Sequence, residues 1–436
     1  MNFTHTIQEV VNCKEKRVKK EERDLHSRDG EASTSGYGGN SFHFPTYLDS
    51  NGLLTEFYKW KEMNYEGFGT NDVIPYNSMP VGVDRFKNKL FITVPRRRPG
   101  IPSSLNYIEI DEFGPDRSPK LRPFPNIETN LLHSDHHADP NKIISVYRTR
   151  IDECNRLWFV DTGRLEYSPN QTQIQPLSIW IMNPETGARI HRFEFPAQIQ
   201  NAGNGVPSIT VDVDPRDCEN AFAYIPDLRY YKLYVYSLKQ NRMWKFEHEA
   251  FNMDQNAKDL TIDGFQLNFI DGIFSITLGP RQPNGERIVY FHPMLSFNEF
   301  QVSNRVLQDE TKANGNTNQN DIFLIGNRGP NSQSAMHHFD LGTGVMFFTE
   351  VAKNAVSCVN SFFPFVPTNH AIVAQDNEKM IYPSDLKVDS QGFLWFFTNN
   401  MPRYIYSTLD SSKFNFRVWR ARVRDIVRGT VCQTSL

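Results

Sequence analysis

LKVDSQGFLWFFTNN, at residues 386–400, is the clearest copy of the pattern that decides the fold. An acidic turn segment comes first, a run of apolar and aromatic residues follows, and small polar residues end it. Aromatic residues favour strands, and Gly392 suits a tight hairpin turn because glycine tolerates positive φ. The stretch therefore predicts a β-hairpin with a strongly buried strand.

The same pattern occurs five more times, as GVDRFKNKLFITVPR (82–96), RIDECNRLWFVDTG (150–163), TVDVDPRDCENAFAYIPD (210–227), NFIDGIFSITLGP (268–280) and HHFDLGTGVMFFTEV (337–351). If Leu90, Leu157, Ala221, Ile273, Val345 and Leu394 are equivalent, the spacings are 67, 64, 52, 72 and 49 residues. Each interval has room for three or four strands of about 5–6 residues. Repeated four-stranded sheets are typical of propellers, so we predict an all-β, six-bladed β-propeller. A sandwich of unrelated hairpins is the alternative.

Two local predictions accompany the repeat. Each apolar run is expected to be the innermost strand of its blade, so that the residues at its end line the central channel. The segment TEFYKWKEM, at 55–63, is consistent with a short helix ahead of the first blade.

Composition limits the class of protein. The 436 residues include 47 Lys and Arg against 50 Asp and Glu, a formal net charge of −3, which excludes electrostatically driven nucleic-acid binding as the default. No run of about 18 apolar residues occurs, so no transmembrane helix is expected. Residues 1–43 are charged or small and polar, which predicts a disordered leader, with the propeller at 44–436.

The cysteines point to two disulfides. Cys154 and Cys218 each precede their repeat anchor by three residues, which places them at matching positions in neighbouring blades. Pairing Cys358 with Cys432 would then fix the C-terminal segment, although four cysteines allow three pairings. Four reduced thiols are the alternative. Disulfides imply an oxidising compartment, and a possible glycosylation site at Asn170 (NQT) agrees, so we expect secretion although no signal peptide is visible.

The segments PYNSMPVGVDRFKNKLFITVPRRRPGIPSSLNYI, RIDECNRLWFVDTGRLEY, DGIFSITLGP and PSDLKVDSQGFLWFFTNNMPRYIYSTLD resemble signature segments of the Yellow/major royal jelly protein family of insects. The resemblance runs from about Tyr47 to Cys432 and implies a secreted six-bladed propeller with two disulfides. Members include cuticle pigmentation proteins, dopachrome-converting enzymes and salivary proteins that bind biogenic amines. Arg97 departs from the pattern, because the family often has an aromatic residue there.

The resemblance also implies a ligand site. In the amine-binding members, a hydroxyl side chain, an Asn and a backbone carbonyl hold the ligand, and these positions correspond to Ser384, Asn399 and the carbonyl of Met401. The ends of the apolar runs add Asp161, Glu350 and Arg96 as candidate channel residues. Carboxylates and aromatic faces together suit a small aromatic cation.

Two functions follow as alternatives. The first is an enzyme of the melanin pathway that converts dopachrome, with catalytic residues unknown. The second is a non-catalytic extracellular binder of dopamine, serotonin or a related amine, or a structural or developmental secreted protein. We expect no cofactor, no metal and no nucleic-acid partner, and the oligomeric state stays open. No GxSxG, HExxH or P-loop motif is present, so hydrolase and nucleotide-binding readings have no support.

Overall fold

Six four-stranded antiparallel sheets form the blades of a β-propeller, which confirms the predicted fold class. The protein is described from a computed structural model that covers residues 53–69, 71–201, 203–313 and 319–434. The predicted leader, residues 1–43, lies outside the described residues.

The blades take their strands in chain order, with one exception in blade 6. Blade 1 contains Gly82–Phe86, Lys89–Thr93, Leu105–Glu109 and Arg122–Pro123; blade 2 contains Val146–Ile151, Leu157–Asp161, Ser178–Met182 and Arg189–Glu194; blade 3 contains Thr210–Asp214, Asp217–Asp227, Lys232–Ser237 and Arg242–Glu247. Blade 4 contains Ile273–Leu278, Ile288–Pro293, Asn298–Ser303 and Ile322–Asn327; blade 5 contains His337–Asp340, Val345–Glu350, Ala355–Asn360 and His370–Gln375. Blade 6 contains Pro383–Val388, Phe393–Thr398, Phe416–Arg422 and, as its outer strand, Leu54–Trp60.

The remaining elements are short and lie between strands. Two hairpins pair Arg164–Leu165 with Thr172–Gln173 and Leu260–Ile262 with Phe265–Leu267. The α-helices are Ile127–Asn130, Asn304–Gln308, Met401–Tyr406 and Val423–Ile426. The 3₁₀ turns are Pro75–Asn77, Glu249–Phe251, Gln255–Ala257, Glu310–Lys312, Gln319–Asp321, Val351–Lys353 and Pro367–Asn369.

The first strand of each blade is the innermost, because hydrogen bonds join the first strands or their lead-in residues into a closed ring. The donor–acceptor pairs, in order around the ring, are Ile151 N to Asp84 Oδ2, Arg148 Nη1 to Pro207 O, Thr210 Oγ1 to Ile276 O, His337 N to Ser275 Oγ, Val388 N to His338 Nδ1 and Val83 N to Asp385 Oδ2. These first strands therefore line the central channel.

This arrangement corrects the predicted position of the apolar runs. In five blades the run is the second strand, and only Ile273–Leu278 in blade 4 is a first strand. The second strand is apolar because it is covered by sheet neighbours on both sides and by adjacent blades on both faces. All five residues of Leu157–Asp161 are buried, for example.

In blades 2 and 6 the acidic residue of the repeat has a structural role in the turn. Asp152 accepts the backbone N–H groups of Cys154 and Arg156, and its other oxygen accepts the indole N–H of Trp158 at 2.7 Å. Asp389 makes the same indole contact with Trp395, also at 2.7 Å. In blades 2 and 6, one carboxylate thus satisfies both the hairpin turn and the buried indole of the following strand.

The helix predicted at 55–63 is wrong, because Leu54–Trp60 is a strand that pairs with Phe416–Arg422. Its aromatic side chains decide this outcome. Phe57 packs against Trp395 with ring centroids 5.2 Å apart, and Trp60 stacks near Phe397. Aromatic residues gain more from this half-buried pleated surface than from an isolated helical turn.

Both predicted disulfides are confirmed. Cys154 and Cys218 join blades 2 and 3, with their Cα atoms 5.9 Å apart. Cys358 in the third strand of blade 5 is bonded to Cys432 near the C-terminus, with a Cα separation of 6.1 Å.

Candidate functional site

The channel has two ends with different chemistry. We call the end at which the first strands begin the front mouth, and the end at which they turn into the second strands the rear mouth. The second strands run in the opposite direction, so they end at the front mouth. In blade 4 the apolar run is a first strand, so the residues at its end lie at the rear mouth instead.

The structure brings Ser384 and Asn399 together at the front mouth. The Ser384 hydroxyl donates to the carbonyl of Val81 at 2.9 Å, and the Asn399 amide donates to the neighbouring carbonyl of Pro80 at 2.8 Å. The Asn399 side-chain oxygen accepts the N–H of Met401, where the helix Met401–Tyr406 begins. Both side chains are fully buried. These residues thus hold the lead-in segment of blade 1 against blade 6.

Arg96 and Asp161 also lie together, one blade further round. The Arg96 guanidinium donates to five backbone carbonyls, including those of Ile101 and Ile143 at 2.9 Å. Burial lowers the pKa of Arg96 to about 10. Asp161 accepts the N–H groups of Ile144 and Ser145, so both side chains fix the lead-in segment of blade 2.

Glu350 is separate from these four residues. Its carboxylate accepts the hydroxyl of Ser357 at 2.5 Å and pairs with Lys353 at 2.8 Å, all within blade 5 and the turn that follows its second strand. The carboxylate is buried, and both of its oxygens have partners in the chain. Contacts of Glu350, Asp161 and Arg96 with a ligand stay predictions.

Asp271 is a front-mouth residue that sequence reasoning missed. It lies two residues before the first strand of blade 4 and is half-buried, and its carboxylate has no hydrogen bond or ion pair within the described ranges. Burial raises the pKa of Asp271 to about 6, and Arg97 and Arg229 only partly oppose this shift. Asp271 therefore takes up a proton at higher pH than an ordinary aspartate.

Tyr382 and Arg97 belong to the same electrostatic cluster as Asp271. Tyr382 precedes the first strand of blade 6, is 3% exposed and has a left-handed backbone with φ of 52°. Its pKa is raised by burial and then by the Asp271 charge. Non-glycine residues with such φ values are uncommon and concentrate at functional sites.

Arg97 supplies the positive charge of this mouth. Its Nε lies 3.7 Å from the Glu166 carboxylate, which also accepts the Tyr147 hydroxyl at 2.7 Å. Burial acts to lower the pKa of Arg97, but Tyr147 and Glu166 raise it above the ordinary value, so the guanidinium stays charged. The residue that departs from the family pattern therefore places a cation where an aromatic ring is usual.

The front mouth therefore brings three kinds of group within electrostatic range of one another. Asp271 can accept a proton, Arg97 can stabilise a negative oxygen, and Tyr382 offers a hydroxyl and an aromatic face. These residues come from three different blades. Asp271 and Arg97 lie in segments that stood out in the sequence, but nothing in those segments links the two residues to each other or to Tyr382.

One buried cluster has metal-type donors, namely His292, Glu299 and His337, whose candidate ligand atoms lie within 4.8 Å of one another. Glu299 already pairs with Arg328 at 2.6 Å and accepts from His292 at 2.9 Å. Burial lowers the pKa of His292 to about 3, so this imidazole is neutral. The negative charge of Glu299 is thus balanced by Arg328. We therefore infer that the cluster stabilises the packing of blade 4 against blade 5.

Two other predicted features have a defined place. Asn170 is exposed in the loop between Arg164–Leu165 and Thr172–Gln173. The helices of the described ranges are all too short or too polar to span a bilayer.

The fold and the front mouth together define a β-propeller with a candidate small-molecule site in its channel. The major royal jelly protein family profile matches residues 144–432. The chain is 44% identical to L-dopachrome tautomerase yellow-f of Drosophila melanogaster, over 87% of this chain and 94% of that protein. It is 35% identical to Protein yellow of Drosophila madeirensis and 34% to that of Drosophila melanogaster, over 87% of this chain and 67% and 70% of those proteins. The chain belongs to the Yellow/major royal jelly protein family.

Proposed function

We propose that the protein tautomerises an aminochrome such as dopachrome at the front mouth, as a step of melanin or cuticle pigmentation. The observation that carries the proposal is Asp271, a half-buried carboxyl that has no hydrogen-bond or ion-pair partner among the described residues, interacts electrostatically with Arg97 and Tyr382, and has a pKa of about 6. A relative with 44% identity is named as an L-dopachrome tautomerase, which supports the same reaction class.

Tautomerisation of an aminochrome moves protons from ring carbons to quinone oxygens. In the proposed mechanism the Asp271 carboxylate accepts a proton from carbon, and the electron pair moves through the ring to a carbonyl oxygen. Arg97 stabilises the negative charge that develops on that oxygen. Each proton lost from carbon is matched by one gained at oxygen, so the product is an isomer and no redox cofactor is required.

Ser384, Asn399 and the Met401 carbonyl hold the ring in this proposal, as the family resemblance implies. The Ser384 hydroxyl donates to Val81, so its oxygen lone pairs are the group left for a ligand. Asn399 uses one amide hydrogen on Pro80 and keeps the second. Because both side chains are buried, contact with a ligand requires the Pro80–Val81 lead-in segment to shift.

The alternative is a non-catalytic binder of an aromatic amine, because a carboxylate beside aromatic rings suits an ammonium group. Asp271 and Tyr382 are such a pair. Arg97 weakens this alternative, since its fixed positive charge acts on the same carboxylate and repels a second cation. Arg97 instead favours ligands with carboxylate or quinone oxygens, which dopachrome has.

We further propose that the protein acts outside the cell. Two disulfides support this, because such bonds persist in oxidising compartments. The exposed Asn170 in its NQT sequon supports glycan attachment on the same route.

The test is turnover of dopachrome by the purified protein. Loss of its visible absorbance is followed against heat-treated protein, and mass spectrometry of the product separates isomerisation from loss of carbon dioxide. The proposal expects a dihydroxyindole that keeps the carboxylate. Calorimetric binding of dopamine or serotonin with no turnover of dopachrome would instead establish the non-catalytic alternative.

A further inference from the structure

A cavity of about 1190 Å³ opens at the rear mouth, at the opposite end of the channel from Asp271 and Ser384. The turns between first and second strands line it, together with apolar side chains such as Phe339, Leu278 and Val211. The cavity thus offers room for an organic molecule and a partly apolar wall, independently of the front mouth.

Most charged groups of this cavity are already paired. Arg85 meets Asp389 at 2.6 Å, and Lys87 meets Glu185 at 2.9 Å. Arg287, deeper in the cavity, pairs with Glu153 at 2.7 Å. These cations therefore have their counter-charges within the protein.

Arg150 differs from these cations in its hydrogen-bond partners. Among the described residues its guanidinium makes one hydrogen-bond-length contact, from Nη1 to Nε2 of His338 at 3.0 Å. Its Nε is buried and has no acceptor. Asp84 has the strongest favourable charge interaction with Arg150, but its carboxylate accepts the N–H groups of Ile151 and Arg85. Arg150 thus has charge compensation without a hydrogen-bond acceptor.

Because of the protonation state of His338, its contact with Arg150 places two hydrogen-bond donors against each other. The backbone N–H of Val388 points at His338 Nδ1 at 2.5 Å, and because a backbone amide can only donate, Nδ1 must be the unprotonated nitrogen. Burial and the charge of Arg150 lower the pKa of His338, so the ring is neutral and carries its one hydrogen on Nε2. Nε2–H and the Arg150 N–H then face each other, and neither has an acceptor in the part of the chain that the structure describes.

We propose that a small carboxylate with an apolar body binds at the rear mouth, with its oxygens accepting hydrogen bonds from both Arg150 and Nε2–H of His338. An anion resolves the donor conflict, since one planar carboxylate offers acceptors to two neighbouring donors. Its apolar body would lie against Phe339 and Leu278, both of which line the cavity. His338 is 7% exposed, so the polar part of the site is shielded from water.

Benzoate is the probe, and titration calorimetry is the measurement. The unmodified protein is expected to bind benzoate but not benzyl alcohol, which has the same ring and no charge. Arg150→Met should weaken benzoate binding at least tenfold, as expected for loss of a charge-assisted hydrogen bond. Lys87→Met is the matched control, because it removes an equal charge from the rim of the same cavity and should leave benzoate binding unchanged.

A crystal soaked with 4-bromobenzoate locates the site without any variant. Anomalous bromine density in the rear cavity, with the carboxylate beside Arg150 and His338, is the expected result. The proposal is overturned if benzoate does not bind, if Arg150→Met and Lys87→Met bind it equally, or if bromine density lies only elsewhere. Dopachrome turnover at the front mouth is read separately, so failure of one proposal leaves the other testable.

Discussion

Replacing Asp271 by Asn gives the sharpest test of the front-mouth chemistry. Asn keeps the shape of the side chain and removes its ability to accept a proton from carbon. A general base contributes about 10²–10⁴ to the rate, so kcat for dopachrome should fall by about that factor. KM should change little, because the proposed role of Asp271 is in proton transfer rather than in holding the ring.

The pH dependence follows from the raised pKa of Asp271, which is about 6. The carboxylate is the active form, so the rate should rise as pH increases through this value. For a single group of this pKa the ionised fraction goes from about 0.09 at pH 5 to about 0.91 at pH 7, a roughly tenfold gain. Measured kcat/KM of the unmodified protein, corrected for spontaneous dopachrome decay, should follow this curve, and the Asp271→Asn protein should not.

Asp259→Asn is the matched control, because it makes the same chemical change at an exposed carboxylate in the preceding loop. Its turnover and pH profile should equal those of the parent protein. Asp271→Asn should also melt no lower than the parent, since a carboxyl with a raised pKa opposes folding at neutral pH and its neutral replacement removes that cost. Near-parental turnover by Asp271→Asn would refute the assignment of the base.

Three further variants, one of them with a matched control, test the fold and the ligand contacts. Asn399→Ala should lower the free energy of unfolding by about 1–3 kcal/mol in urea and weaken dopachrome affinity about 5- to 150-fold. An unchanged free energy of unfolding would contradict its structural role, and an unchanged affinity would contradict its contact with the ligand. The Cys358–Cys432 bridge joins residues 74 positions apart, and its removal should lower the free energy of unfolding by about 4 kcal/mol through loop entropy. Chemical denaturation measures this loss, and a midpoint equal to that of the parent protein would contradict the prediction. Glu299→Gln should lower the free energy of unfolding by about 3–5 kcal/mol in urea because it leaves the buried Arg328 without its carboxylate, whereas Glu112→Gln at the partly exposed pair with Arg420 should cost about 0–1 kcal/mol.

The repeat was predictable from sequence because its signals are local. The turn carboxylates Asp152 and Asp389 and the indoles six residues later belong to one hairpin, and the cysteine register follows from the same unit. Which strand is innermost was not predictable from hydrophobicity. Second strands are covered on every side, whereas first strands face the channel and carry polar residues such as Arg148 and Ser384.

The candidate site was predictable only in part. Ser384 and Asn399 flank one hairpin, so their proximity could be expected from chain spacing. Asp271, Tyr382 and Arg97 come from separate blades and meet only through closure of the ring. Their protonation behaviour arises from burial and from each other's charge, and neither exists in the unfolded chain.

The pairing of Leu54–Trp60 with Phe416–Arg422 has a consequence for synthesis on the ribosome. Arg417 bonds to Glu56 across 361 positions of the chain. At translation rates of about 5–20 residues per second, the apolar N-terminal strand waits about 20–70 s for its partner. During that interval Phe57, Tyr58 and Trp60 have no sheet to cover them. Blade 6 is therefore the last to form, and a nascent chain of this protein offers an aggregation-prone strand to chaperones until translation is almost complete.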